Sequence, residues 1–151
     1  MFYIRSFRPE DEIAVLELWT LCGLTVPHND PRKDIRRKLR VNPEWFLVGE
    51  ENGMILATCM AGYEGHRGWI NYLAVEPTRQ RQRVATRMME KAEQLLREAG
   101  CPKINLQVRS TNLQVIAFYE SLGFKIDAVT SLGKRLEVDA PTGATNGVAR
   151  D

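Results

Sequence analysis

This chain has no apolar stretch approaching the roughly 20 residues that a membrane-spanning helix needs. It also lacks an excess of charge of one sign: the formal net charge is +2, so neither a membrane surface nor nucleic acid is an expected partner. The three cysteines, Cys22, Cys59 and Cys101, lie far apart without metal-ligand spacing, so no metal site is expected. Their odd count, and an opening MFYIRSFRPEDE that is charged too early for a secretory leader, lead to the expectation of a reducing cytoplasm. No internal repeat is evident. The last stretch, 139–151, lacks large apolar residues and is expected to be a disordered tail on a single domain spanning 1–138. A chain of 151 residues is long enough to bury a substantial core.

Strands and helices alternate in what remains. Phe2 and Ile4 alternate with polar neighbours as a first strand, and Pro9 with Glu10, Asp11 and Glu12 opens a helix that ends near Gly23. A basic helix is expected over Arg32–Arg40, with Ile35 and Leu39 as its buried edge and an Asp34–Lys38 pair. Its six cations read as a solvated face in preference to a phosphate patch. Trp45–Glu50 and Met54–Gly62 form a hairpin around Asn52-Gly53. Trp69–Val75 is a buried strand, and a helix follows with apolar residues at Val84, Met88, Ala92, Leu95, Leu96 and Ala99. Ile104–Val108 is a further strand, parallel to Trp69–Val75 by the strand–helix–strand rule. Asn112–Ser121 is a helix, and strands are expected over Phe124–Val129 and Leu132–Val138.

The junction between Val75 and Val84 is the most informative place. A strand broken by Glu76-Pro77 runs through a basic loop into a helix N-terminus, where unpaired N–H groups and the macrodipole favour an anion. Gln80-Arg81-Gln82-Arg83-Val84-Ala85 resembles the coenzyme A loop of the GNAT acetyltransferases, whose pattern is Arg/Gln-x-x-Gly-x-Gly/Ala. Arg83 stands where that pattern has glycine. Arginine there costs about 1–2 kcal/mol if the backbone is left-handed, or else directs its guanidinium to a phosphate.

A second stretch carries the same resemblance. Asn112, Ala117, Tyr119, Glu120, Gly123 and Phe124 follow a strand and match the family's asparagine–tyrosine segment. The resemblance implies an α/β (α+β) GNAT fold: a central mixed, mostly antiparallel sheet, a parallel strand pair forming the cofactor cleft, and helices on both faces. It also implies direct transfer of acetyl from acetyl-CoA to an amine. Backbone groups of Leu73, Ala74 and Val75 would hold the pantetheine arm and thioester carbonyl, and Gln80, Arg81, Gln82, Arg83, Val84 and Ala85 the pyrophosphate. Asn112 would contact pantetheine or cap its helix. Tyr119 would donate to the departing thiolate, since a phenol near pKa 10 stays protonated at neutral pH.

The acceptor side is less constrained. A lysine-like amine needs roughly 4–5 kcal/mol to lose its proton at pH 7. Three stretches, Asn29-Asp30-Pro31 with Asp34-Ile35, Gly62–Gly68 and Leu132–Leu136, are similar to the bacterial YpeA-like acetyltransferases. Glu64 and His66 are candidate bases, the alternative being a loop ordered by their own hydrogen bonds. Tyr63 and Arg67 flank them as acceptor contacts. Asn29 and Asp30 could receive a cationic acceptor, a turn or helix cap being the competing use. The ribosomal-protein N-terminal alanine acetyltransferases carry a glutamate where this chain has Gln107, which cannot act as a base. Two functions follow: an acetyl-CoA-dependent N-acetyltransferase for a small-molecule or protein amine, or a non-catalytic CoA-binding module, which Arg83 would favour. A homodimer is a further expectation, because dimers are common in this family.

Overall fold

The computed structural model describes residues 1–80 and 82–139. Its elements are β1 (Phe2–Ser6), α1 (Glu12–Leu21), α2 (Pro31–Lys38), β2 (Phe46–Glu51), β3 (Met54–Tyr63), β4 (Gly68–Val75), α3 (Val84–Glu98), β5 (Ile104–Asn105) and α4 (Leu113–Ser121). The strands form one five-stranded sheet in the order β1-β2-β3-β4-β5. The first three pairings are antiparallel and the last is parallel. The β2–β3 hairpin turns at Asn52 and Gly53, both at positive φ (52° and 78°), as the asparagine–glycine signal requires.

Each face of the sheet carries its own core. Val15, Leu18 and Trp19 of α1 and Ile35 of α2 pack on Phe46, Val48, Met60 and Ala74. On the other face Val84, Met88, Met89, Ala92 and Leu96 of α3 pack on Leu47, Leu56, Ala57, Cys59 and Ala61. The β3 run Leu56–Ala61 is buried throughout because it is covered on both sides, which explains a sequence that is apolar except at Thr58. Phe7 and Phe46 stack at 4.4 Å with nearly parallel rings, closing the end of the α1 core.

Several expectations are corrected. The helix expected over Arg32–Arg40 is Pro31–Lys38, because Pro31 takes the first helical position and Asp30 caps it from Arg32 N (2.9 Å). Asp34 pairs with Arg37 (2.9 Å) and not with Lys38, whose ammonium turns inward to the Ala61 carbonyl. Burial lowers the Lys38 pKa. Leu39 is only partly covered, so Ile35 alone is fully buried on this helix. The strand expected over Ile104–Val108 shrinks to Ile104–Asn105, since only these residues meet β4. Phe124–Val129 and Leu132–Val138 form no strand: alternation makes a segment compatible with a sheet, but a strand exists only with a ladder partner. Ile126, Val129, Leu132 and Leu136 are correspondingly exposed. Asp139, assigned to the tail, is buried and ion-paired, while 140–151 lie outside the described residues.

Candidate active site

The parallel pair β4–β5 opens into a fork. Gly68 pairs with Ile104 and Trp69 with Asn105, and the two strands then separate. Gly68 allows the close start: a Cβ there would meet Cys101 Sγ at 2.8 Å. Further along β4, Thr58 pairs with Ala74 and Met60 with Asn71, so Tyr72 and Leu73 together oppose the single residue Cys59. This is a β-bulge. Tyr72 adopts φ 52°, a left-handed conformation that is costly for a bulky residue.

Past the bulge the alternation assigns each backbone group an edge. Glu76 N–H bonds the Leu56 carbonyl (2.8 Å) and Ala74 pairs with Thr58, so both face β3. Leu73 and Val75 therefore present their N–H and C=O groups on the opposite edge, the β5 side. The Val75 carbonyl is already used there, by Gln80 Nε2 (3.1 Å) and Cys22 Sγ (3.2 Å). Of the three residues expected to bind cofactor through their backbone, Leu73 and Val75 thus face the fork and Ala74 does not.

The chain then passes through a short 3-10 turn, Pro77–Arg79, into α3. The Glu76 carboxylate accepts from Thr78 N (2.9 Å) and fixes the turn. Arg79 is committed to Glu51 and to Gln82 Oε1 (2.6 Å). Arg87 lies over the Phe2 ring at 4.6 Å. Arg83 occupies the N-cap of α3 at φ 63°, ψ 17°, the left-handed backbone that glycine would take freely. Its side chain is exposed and has no partner among the described residues. Among the described residues no side chain caps the first turn of α3, so the N–H groups around Val84 and Ala85 remain open to them at the positive end of the dipole. Arg81 lies outside the described residues.

On α4, Asn112 Oδ1 accepts from Val115 N (3.3 Å), which is the capping alternative. Tyr119 is buried between Phe118 (5.1 Å) and Phe124 (5.5 Å), and its hydroxyl has no hydrogen-bond partner among the described residues. Burial raises its pKa, so the phenol stays protonated across the neutral range. It lines a cavity of about 1580 Å³ between β5, α4 and residues 124–131, with Gln107 on the rim. That cavity runs along β5, which forms one side of the fork, and Tyr119 also belongs to the core cluster of Cys59, with Leu73 packed against it.

The acceptor-side candidates are mostly occupied. Glu64 accepts from the backbone N–H groups of His66 (2.7 Å) and Arg67, and these bonds hold its carboxyl below its ordinary pKa. It is thereby a turn-fixing group and a weak proton acceptor. Arg67 Nη1 donates to the His66 carbonyl (2.9 Å), and the His66 imidazole is exposed. Tyr63 OH donates to the Gly65 carbonyl (3.2 Å). Asn29 accepts from Arg135, and Asp30 caps α2. Among the described residues, no three of His, Cys, Asp and Glu gather as a metal cage.

Sequence reasoning missed one group entirely. Tyr72 stacks on Trp19 at 3.9 Å, and its hydroxyl donates to Asp34 Oδ2 (2.6 Å). Its carbonyl accepts from the Thr58 hydroxyl (2.8 Å), which accepts from Trp19 Nε1 (2.9 Å). Asp34 in turn holds Arg37, which grips Asp139 through two bonds (2.9 and 2.7 Å). The sequence could show Asp34 beside the Asn29-Asp30-Pro31 stretch, but no local signal marks a tyrosine at positive φ.

The model of the Acetyltransferase (GNAT) family matches residues 13–124. The chain is 47% identical over 137 residues to the acetyltransferase ECA0875 of Pectobacterium atrosepticum, covering 90% of this chain and 96% of that one. Among solved structures it resembles Ard1 of Thermoplasma volcanium, with TM-score 0.73, 24% identity and 84% of each chain covered. It also resembles the ribosomal-protein-S18-alanine N-acetyltransferase of Escherichia coli, with TM-score 0.69, 24% identity, and 83% and 78% covered.

Proposed function

The chain belongs to the GNAT acetyltransferase family, and from that premise we propose that it transfers acetyl from acetyl-CoA to a primary amine of a small molecule or protein. One observation carries this reading: a strand edge at Leu73 and Val75, open among the described residues except at the Val75 carbonyl, leads, within ten residues of chain, to a helix N-terminus that no described side chain caps. The first suits an amide-bearing arm and the second a diphosphate. Bound acetyl-CoA supplies the acetyl group as an activated thioester. The N–H groups near Val84 and Ala85 hold its phosphates, and the Leu73 and Val75 edge orients the arm.

Tyr119 donates a hydrogen bond to the departing sulfur. With a pKa above that of a free thiol near 8.5, it stabilises the thiolate by donation and keeps its own proton until the environment changes. The amine proton passes to solvent through water, because Glu64 is held in its ionised, turn-fixing state and His66 precedes the paired end of the fork at Gly68, about 20 Å of extended strand from Leu73. The acceptor named for the Escherichia coli neighbour is not carried over, because Gln107 offers no carboxylate.

The rival reading, a module that binds CoA without transfer, draws on Arg83. The left-handed backbone there already has the shape that glycine would give, and the side chain points to solvent, so the loop is compatible with either. Calorimetric titration with acetyl-CoA, followed by a thiol-release assay on an amine panel, separates the two. Binding with release on at least one amine supports transfer; binding with no release on any amine supports the module.

A further inference from the structure

We propose that Tyr72 is a positioning residue: clamped by Trp19, Thr58 and Asp34, it fixes the β4 bulge and thereby sets the aim of the Leu73 and Val75 backbone groups. The inference rests on the function proposed above and adds the part of the protein that tunes it.

The argument begins with strain. A non-glycine residue at φ 52° persists only where its surroundings over-determine it. Tyr72 is held at three points that no bulge requires. Its ring lies on the fully buried Trp19. Its carbonyl is held by the hydroxyl of Thr58, a fully buried polar residue on the neighbouring strand. Its own hydroxyl reaches α2 at Asp34. Thr58 joins the first two holds, because the same oxygen accepts from the Trp19 indole. Buried polar side chains in an otherwise apolar layer are retained at a desolvation cost, and here the Thr58 hydroxyl and the Trp19 indole are joined to each other and both engage Tyr72.

The effect is geometric. In a bulge two residues span the space of one, so the strand beyond it is rotated and displaced. Leu73 immediately follows Tyr72, and Val75 is two residues further. Small changes in Tyr72 would therefore re-aim the groups proposed to meet the thioester arm. Hydrogen bonds that act in a transition state lose their worth with ångström-scale misplacement. The phosphate end sits on another element, α3, and would be spared.

The test uses the full chain with Thr58→Val, which removes the hydroxyl, Thr58→Ser, which restores it, and Tyr72→Phe, which keeps the ring and drops the Asp34 bond. Isotope-edited infrared spectra of acetyl-CoA labelled with 13C at the thioester carbonyl read the hydrogen bonding directly. Calorimetry gives affinity, and thiol release gives turnover. The expected result is a bound carbonyl band shifted from its free position in the wild type and in Thr58→Ser, and moved back towards it in Thr58→Val and Tyr72→Phe. Acetyl-CoA affinity should stay within about threefold while kcat falls about 10- to 100-fold. If the band and kcat in Thr58→Val and Tyr72→Phe equal those of the wild type, the positioning role is overturned and the function stands. If Thr58→Ser fails as badly as Thr58→Val, the hydroxyl is not the cause and the proposal falls. If the wild type binds no acetyl-CoA, the underlying reading fails, and the proposal with it.

Discussion

Tyr119 and Arg83 are the two residues whose chemistry can be separated by single substitutions. Tyr119→Phe keeps the ring between Phe118 and Phe124 and removes the donor. Turnover should drop about 100-fold or more, with acetyl-CoA affinity unchanged in a calorimetric titration; an unchanged rate would remove Tyr119 from the reaction. Arg83→Gly relieves a left-handed backbone at the cost of a more flexible unfolded chain, for a net stabilisation of about 0.5–1 kcal/mol in urea unfolding. Affinity for acetyl-CoA should be kept, because the side chain has no partner among the described residues and is exposed. A large loss of affinity would make the guanidinium a phosphate ligand. These residues differ in how far the sequence reveals them. Tyr119 stands inside a recognisable segment, and the left-handed option at Arg83 could be costed before the backbone was seen. Tyr72 could not be found, because a tyrosine in an apolar strand run signals burial and nothing about its φ.

At the scale of elements, the fork depends on Gly68 as much as on the bulge. Gly68→Ala would push a methyl group against Cys101 Sγ and the Leu96 side chain at the one place where β4 and β5 are joined. A loss of about 1–3 kcal/mol in chemical unfolding is expected. The seven long elements from β1 to α3 were legible, because hydrophobic periodicity and turn residues act locally: Asn52-Gly53 fixed the hairpin, and the apolar positions from Val84 to Leu96 fixed the face of α3. The segments after α4 were not, because whether Phe124–Val129 or Leu132–Val138 becomes a strand depends on a partner edge, which is a tertiary property. Segment 135–139 is instead fastened by charge, through Arg135 to Asn29, Glu137 to Lys33 (3.6 Å) and Asp139 to Arg37 (2.7 Å). The Arg37 guanidinium holds the Asp139 carboxyl well below the usual carboxylate range. A depressed folded-state pKa gives stability that is fully present above the unfolded value, about 3.9, and is lost as pH falls below it. Urea midpoints of wild type and Asp139→Asn should therefore differ at neutral pH and converge in strong acid. A difference independent of pH would assign the residue to packing alone.

For the molecule as a whole, two packed faces and an asymmetric sheet divide the work. The α1 and α2 face carries Trp19, Thr58, Tyr72 and Asp34, whereas α3 and α4 carry the open helix terminus and Tyr119. A ligand that contacts both should raise global stability by mass action, by about 2.7 kcal/mol at a hundredfold excess over its Kd, and the melting temperature by several degrees. Free CoA and acetyl-CoA should both do so if diphosphate binding dominates. Pantetheine, which lacks the diphosphate, should not.

Among the described residues, two pairs are all that join β4 to β5. An extended arm seated between the diverging strands would take up the bonding that neither strand gives the other, and so become a temporary rung of the architecture. Reactant would then double as scaffold. Deuterium should enter the Leu73 and Val75 amides readily in the free protein and slow sharply once the arm is seated, while amides of the β2–β3 hairpin exchange at the same rate in both.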